Sequence, residues 1–297
     1  MDMEKFGELM KAKEPGPWPE FEGIRYPPAP PFREKGVEKA LQDILHFQSR
    51  ESDLLICTYP KSGTHWIFEI INMLLRNKTE LDTQCKVSTM IEFISDFTVL
   101  DKLESPRLLN SHCLFNYLPK KHIENGCKII HMIRNPKDVC VSLYYQFKKH
   151  PFVDFKGSWD DFFEIWMSDK GFYGSWYNYE KEMEKAEKLY PGMILTCYYE
   201  KMKKDSTTEI KRLADFLGIQ CTESTLKDIA YATSFQNMQQ HNMHKLDSSK
   251  ELDGKGFIYR KGEIGDWKNH FTVAQNERFE EQYTERFKDS TYKLTFE

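Results

Sequence analysis

Thr58-Tyr59-Pro60-Lys61-Ser62-Gly63-Thr64-His65-Trp66 sets a lysine, hydroxyl donors and a glycine in one short turn. An apolar run precedes it and an amphipathic stretch follows. Such a turn suits an anion, because free N–H groups at a helix start, the helix dipole and a lysine charge converge there. Gly63 lets the backbone approach closely, and Ser62 and Thr64 add hydroxyls. It is not a Walker A loop, which needs Gly, four residues, then Gly-Lys-Ser/Thr. Here the lysine precedes the glycine by two, so an ATPase or kinase is disfavoured. An ordinary strand-to-helix turn with a surface lysine would read the same over four residues.

The flanking elements give that turn its place. Leu54 to Tyr59, Lys128 to Ile133 and Met193 to Tyr199 are short apolar runs, expected as strands buried on both faces. Ile67, Ile70, Ile71 and Leu74 recur at helical spacing after the turn. Asn135-Pro136 predicts an N-cap and first helical residue for a helix to about Phe147. Ser158 with Asp161 reads as another helix start, Ser206 with Glu209 as a capping box, and Gly218 as a stop. This alternation predicts a single three-layer α/β domain over 1–297, its central sheet mainly parallel and flanked by helices. Ligands bind such sheets beyond the strands' carboxyl ends, which singles out 58–64, 110–113 and 134–142.

Composition sets the outer bounds. The 297 residues carry 42 basic and 46 acidic side chains, a net charge of −4, which excludes a broadly cationic nucleic-acid binder. Seven scattered cysteines form no C-x-x-C pair, and reduced thiols in a cytoplasmic protein are expected. No signal peptide or run of about 20 apolar residues is visible. Seven prolines between 14 and 32 predict an extended arm rather than a helix, within a 1–35 segment packed on the body.

The nine-residue turn resembles the 5′-phosphosulfate loop of cytosolic sulfotransferases, and three further segments fit that family in order. Arg134 to Asp138, running on to Ser142, resembles its 3′-phosphate-binding strand and helix. Arg260-Lys261-Gly262-Glu263-Ile264-Gly265-Asp266-Trp267-Lys268 resembles its C-terminal RKG-x-x-GDWK segment. Lys268, Thr272, Val273 and Glu277 match its short dimerisation motif. The resemblance runs from about Trp18 to Phe287. It implies a P-loop-like fold, the donor 3′-phosphoadenosine 5′-phosphosulfate (PAPS), no metal, and a weak homodimer.

It also implies site residues. Lys61, Ser62, Gly63, Thr64, His65 and Trp66 would hold the 5′ end, and Arg134, Ser142, Arg260, Lys261 and Gly262 the 3′-phosphate. Trp66, Tyr199, Thr233 and Phe235 would frame adenine. Lys61 would stabilise the leaving phosphate, and His112 would act as base on the acceptor hydroxyl or amine. Two departures stand out: Asn110 lies where the family commonly has lysine, and His65 where it often has threonine or asparagine. Asn110 could still hydrogen-bond a sulfate oxygen.

The acceptor is expected to be a small hydrophobic phenol, steroid or alcohol. Candidate pocket residues are Phe21, Tyr26, Phe93, Phe97, Tyr145 and Phe147, for which core packing is an equal alternative. The polar stretch 236–259, with Gly254 and Gly256, reads as a lid. A nucleotide-binding regulatory protein on the same fold, weak in catalysis, is the competing reading.

Overall fold

The three expected runs and Leu108–Ser111 form one parallel sheet: β1 Leu54–Thr58, β2 Leu108–Ser111, β3 Ile129–Ile133 and β4 Ile194–Tyr198, in the order β2-β1-β3-β4. The computed structural model describes residues 10–12, 18–81, 86–149, 153–248 and 259–297. Every residue of β1, β2 and β3 is buried, and β1 and β3 accordingly read as largely apolar runs rather than alternating ones. Successive side chains point to opposite faces. Leu55, Cys57, Leu109, Ile129 and Ile133 therefore enter one core, and Leu54, Ile56, Leu108, Ile130 and Met132 a second. Two cores on one sheet make a three-layer α/β fold.

Helix α1, Thr64–Arg76, follows β1 and covers the second core with Ile67, Ile70, Ile71 and Leu74. Helix α2, Pro136–Lys149, follows β3 and covers the first with Val139, Cys140, Leu143 and Phe147. Asn135 caps α2, its Oδ1 accepting from Asp138 N at 2.9 Å. Ser158 and Asp161 start α3, Trp159–Met167, as expected, and form a capping box there; α4 is Trp176–Leu189. For α5, Ser206–Leu217, the cap is Asp205 and not Ser206. Asp205 Oδ1 accepts from Thr208 N at 3.1 Å, while Glu209 turns to Arg212, so the capping-box expectation was one residue late. Gly218 ends α5 at φ +76, as its type predicts.

Helices α6, Glu223–Ala232, α7, Phe235–Ser248, and α8, Val273–Phe287, complete the chain. Residues 235–248 are thus helical, and 236–248 form the first part of the stretch read as a lid. Gly254 and Gly256 lie outside the described residues.

The proline-rich arm is not extended throughout. Glu20–Phe21 pairs with Ile24–Arg25 as a small hairpin, and Pro30–Glu34 is a short helix with prolines in its first turn, where a missing N–H costs nothing. Trp18 lies 5.1 Å from Phe172 and Tyr26 5.7 Å from Tyr173, ring to ring, and Tyr26 and Phe32 are buried in the first core. Met10–Ala12 adds an antiparallel pair with Val153–Phe155. Among the described residues no helix is long and apolar enough to cross a membrane. The six described cysteines are free. The chain places β2 on one side of β1 and β3 on the other, so the crevice beyond β1's carboxyl end is the switch point where such sheets bind ligands.

Candidate active site

The turn after β1 is held in an unusual shape. Lys61 and Gly63 both adopt positive φ, at +69 and +111. A lysine there costs on the order of 1–3 kcal/mol of backbone strain, which the packed strand and helix on either side must hold. A Cβ on Gly63 would lie 2.6 Å from Met132 Sδ and 3.0 Å from Tyr199 Cδ2, so only glycine fits between β3 and the ring. Ser62 Oγ and Trp66 Nε1 are buried without a hydrogen-bond partner among the described residues. Thr64 Oγ1 shares a 2.6 Å hydrogen bond with Thr58 Oγ1. Burial, then repulsion from Arg134, Lys86 and Arg260, pulls the Lys61 ammonium down to about 7. A buried lysine among cations suits an anion, which would offset that repulsion.

The second cationic end is built from β3, α2 and the segment before α8. Arg134 leaves the end of β3, donates to Lys61 O at 3.3 Å and to Glu263 O at 3.1 Å, and lies 4.2 Å over the Tyr199 ring. Its Nε is buried and unpartnered. Asp138 is not chiefly its ion partner: the closest approach is 3.9 Å. Asp138 instead accepts from Gly265 N at 2.8 Å and Trp267 N at 3.0 Å, and so docks the C-terminal segment on α2. Arg260 and Lys261 both pair with buried Asp266 at 2.5 Å, and these bonds hold that carboxyl well below the usual range against its burial. Gly262 has φ +67, and a Cβ there would strike Phe235 at 2.2 Å. Ser142 lies in the second turn of α2, half-buried.

Between the two ends, Trp66 and Tyr199 meet edge to face at 5.4 Å, and Phe235 lies 6.1 Å from Tyr259. Tyr259 also packs 6.3 Å from His65, whose imidazole burial holds neutral. Thr233 is buried, but its hydroxyl donates to Ile229 O at 2.8 Å within its own helix.

His112 follows β2 directly and reaches across to β1. Its Nδ1 lies 2.7 Å from Thr58 O. A carbonyl only accepts, so Nδ1 carries the proton and Nε2 keeps a lone pair. Burial, then the charge of Lys86, holds the imidazole well below its ordinary range and hence neutral; Lys61 adds to this. The His112 backbone N–H donates to Glu92 Oε1 at 2.7 Å, and Tyr173 also donates to that oxygen at 3.3 Å while its ring lies 5.5 Å from the imidazole. Asn110 does not reach toward a sulfate: its Nδ2 donates to Lys86 O at 2.9 Å and Thr89 Oγ1 at 3.1 Å, which occupies both N–H groups.

A neutral base, a buried lysine loop and a second cationic cluster thus lie at one edge of the sheet. The family profile described as a sulfotransferase domain matches residues 51–291. The chain belongs to the sulfotransferase family. Sulfotransferase 1B1 of Canis lupus familiaris is 37% identical over 269 residues, covering 86% of this chain and 90% of that protein. Sulfotransferase 1A1 of Rattus norvegicus is 36% identical over 279 residues, covering 89% and 94%. A mouse sulfotransferase solved in complex with PAP superposes with a TM-score of 0.76 at 30% identity, covering 92% of this chain and 95% of that one. A retinol dehydratase structure, at TM-score 0.74 and 18% identity, shares the fold. The protein is an enzyme, a sulfotransferase.

The sulfotransferase does not gather all six nominated pocket aromatics. Tyr26 reaches the site through Tyr173, and Phe21, Phe93 and Phe97 are half-buried against the first core. Phe97 also packs on Phe47 at 5.0 Å. Tyr145 lies beneath Arg260 at 4.5 Å, at the cationic end. Phe147 is buried among Phe155, Phe162 and Phe172. Two residues apart on one helix, 145 and 147 project about 200° apart and cannot line one pocket. Sequence reasoning missed Lys86, Glu92, Tyr173 and Tyr259. For Glu92 there was a signal, a carboxylate inside the apolar run Ile91 to Ile94.

Proposed function

We propose that this sulfotransferase moves a sulfuryl group in line from PAPS to the hydroxyl or amine of a small hydrophobic acceptor such as a phenol, steroid or alcohol. PAPS is the donor substrate and supplies the activated S–O bond. The residues fit it: Ser62 Oγ, Trp66 Nε1 and Arg134 Nε are buried polar atoms awaiting partners, and Gly63 and Gly262 mark places a Cβ would fill. Lys61 would neutralise the oxygen of the leaving phosphate. Ser62, Gly63, Thr64 and His65 would hold the 5′ end, and Arg134, Ser142, Arg260, Lys261 and Gly262 the 3′-phosphate. His112 Nε2 would take the acceptor proton. The observation that carries the reading is the His112 Nδ1 contact to Thr58 O, which fixes a base beside the phosphate loop.

Incubation with labelled PAPS and 2-naphthol, with and without EDTA, tests it. Transfer unaffected by EDTA is expected. Tight nucleotide binding without transfer would favour the regulatory reading. A screen of phenols, steroids, amines and alcohols then defines the acceptor.

Trp66 is expected to stack on the adenine with Tyr199, an interaction of about 1–3 kcal/mol. Trp66→Ala should therefore weaken binding of 3′-phosphoadenosine 5′-phosphate about ten- to a hundredfold in a calorimetric titration. Affinity equal to the parent's would remove Trp66 from the slot.

The homodimer remains part of the proposal. Val273 is 77% exposed, an unusual place for a large apolar residue, while Thr272 caps α8 and Lys268 pairs with Glu297 at 2.9 Å. Replacing Thr272 and Val273 together by alanine should turn a concentration-dependent dimer into a monomer by light scattering. An unchanged mass distribution would count against this surface.

A further inference from the structure

Lys86 reaches the reacting end of the site from an element with no recognisable motif. It opens a short 3-10 turn, Lys86–Thr89, is only 6% exposed, and brings Nζ to 3.5 Å from His112 Nε2. The turn is tied down. Asn110 donates to Lys86 O and to Thr89 Oγ1, Thr89 Oγ1 donates to Lys86 O at 3.3 Å, and Met90 bridges to Asn110 alongside β2.

With Nδ1 held by Thr58 O, Nε2 is the one ring nitrogen able to take the acceptor's proton. The acceptor oxygen must then come within hydrogen-bond reach of Nε2. An ammonium 3.5 Å from that nitrogen reaches the same oxygen. We propose that Lys86 is a third catalytic side chain, whose ammonium stabilises the charge building on the acceptor oxygen and the incoming sulfuryl oxygens. The proposal rests on the sulfotransfer reading above.

The step balances without another reactant. The acceptor proton passes to His112 Nε2, the O–S bond forms, and the S–O bond to the phosphate breaks. Its electron pair stays on the phosphate oxygen facing Lys61, and Lys86 keeps its protons throughout. The proton later leaves His112 to solvent. Asn110 has the complementary duty: it brings no charge but fixes the turn that does.

The groups around His112 are Lys86 from the turn, Lys61 from the phosphate loop, His65 from α1, and Glu92 and Tyr173 from the opposite wall. Removing Lys86 takes away a positive neighbour, so the acidic limb of kcat/KM should move up in pH.

Lys86→Met, with Lys86→Gln as a second charge-free variant, and Lys86→Arg should be compared with the parent. Both charge-free variants are expected to lose about a hundredfold in kcat, with product-nucleotide affinity changed by less than about threefold. Lys86→Arg should recover at least about tenfold of the loss. The acidic limb should rise in the charge-free variants only. A charge-free variant with near-parent kcat, or one whose acidic limb stays in place, would overturn the proposal. An inactive parent would overturn the sulfotransfer reading and this proposal together, whereas an active parent with indifferent Lys86 variants would overturn this proposal alone.

Discussion

His112→Ala is expected to abolish turnover while product-nucleotide binding survives. General base catalysis is worth about 10²–10⁴ in rate, and the proposed base, the His112 imidazole, is held at the end of β2 by strand and turn contacts. The two cationic ends of the nucleotide site do not pass through His112, so binding should hold. The alanine variant also strips Thr58 O of its buried donor, which costs about 1–3 kcal/mol of stability. His112→Gln keeps an amide able to donate there and separates the two effects. Both variants should be equally dead in a steady-state assay. More than a few per cent of parental kcat in His112→Gln would remove His112 as base.

Lys61→Met is expected to lower kcat by about 10²–10³, the cost of removing one preorganised charge from a developing anion. It also carries a pH signature. Burial and three neighbouring cations bring the Lys61 ammonium to about 7, so above that pH the nucleotide-free enzyme holds it mostly neutral. A bound polyanion restores the charged form. Product-nucleotide binding should then take up close to one proton at pH 8, and affinity should be flat below about 7 and fall by up to tenfold per pH unit above it. The sign for folding is opposite. Between about 7 and the ordinary lysine value the unfolded chain binds more protons than the folded one, so the stability of the nucleotide-free protein rises with pH there. Calorimetry in buffers of different ionisation enthalpy reads the uptake directly, and Lys61→Met should lose it. Equal uptake in parent and variant would place the proton elsewhere.

The parallel strands were legible because burial on both faces keeps them largely apolar, as Leu54–Thr58 and Ile129–Ile133 show, the buried His131 being paired with Glu180. The phosphate loop was legible because its lysine, hydroxyls and glycine are consecutive. Local signals misled where one residue decides the outcome: Asp205 outcompetes Ser206 as a cap, and Pro30 and Pro31 begin a helix instead of forbidding one. Residues 235–248 carry few apolar anchors, so the helix there left little periodicity to read; Met238 is buried but Gln236 and Gln240 are exposed. Lys86 and Glu92 come from short 3-10 turns without periodicity, and only tertiary packing carries them to His112. Tyr145 and Phe147 were grouped by composition, and helix geometry separates them.

Asp138 has a consequence for when the site comes into being. Its carboxylate receives the backbone N–H groups of Gly265 and Trp267, while Arg134 reaches across to Glu263 O. Asp138 and Gly265 lie 127 residues apart, so two distant stretches of chain must both be in place before this wall stands. A chain stopped short of Gly265 is therefore expected to keep Lys61 and His112 while leaving the Asp138 carboxylate without these two donors.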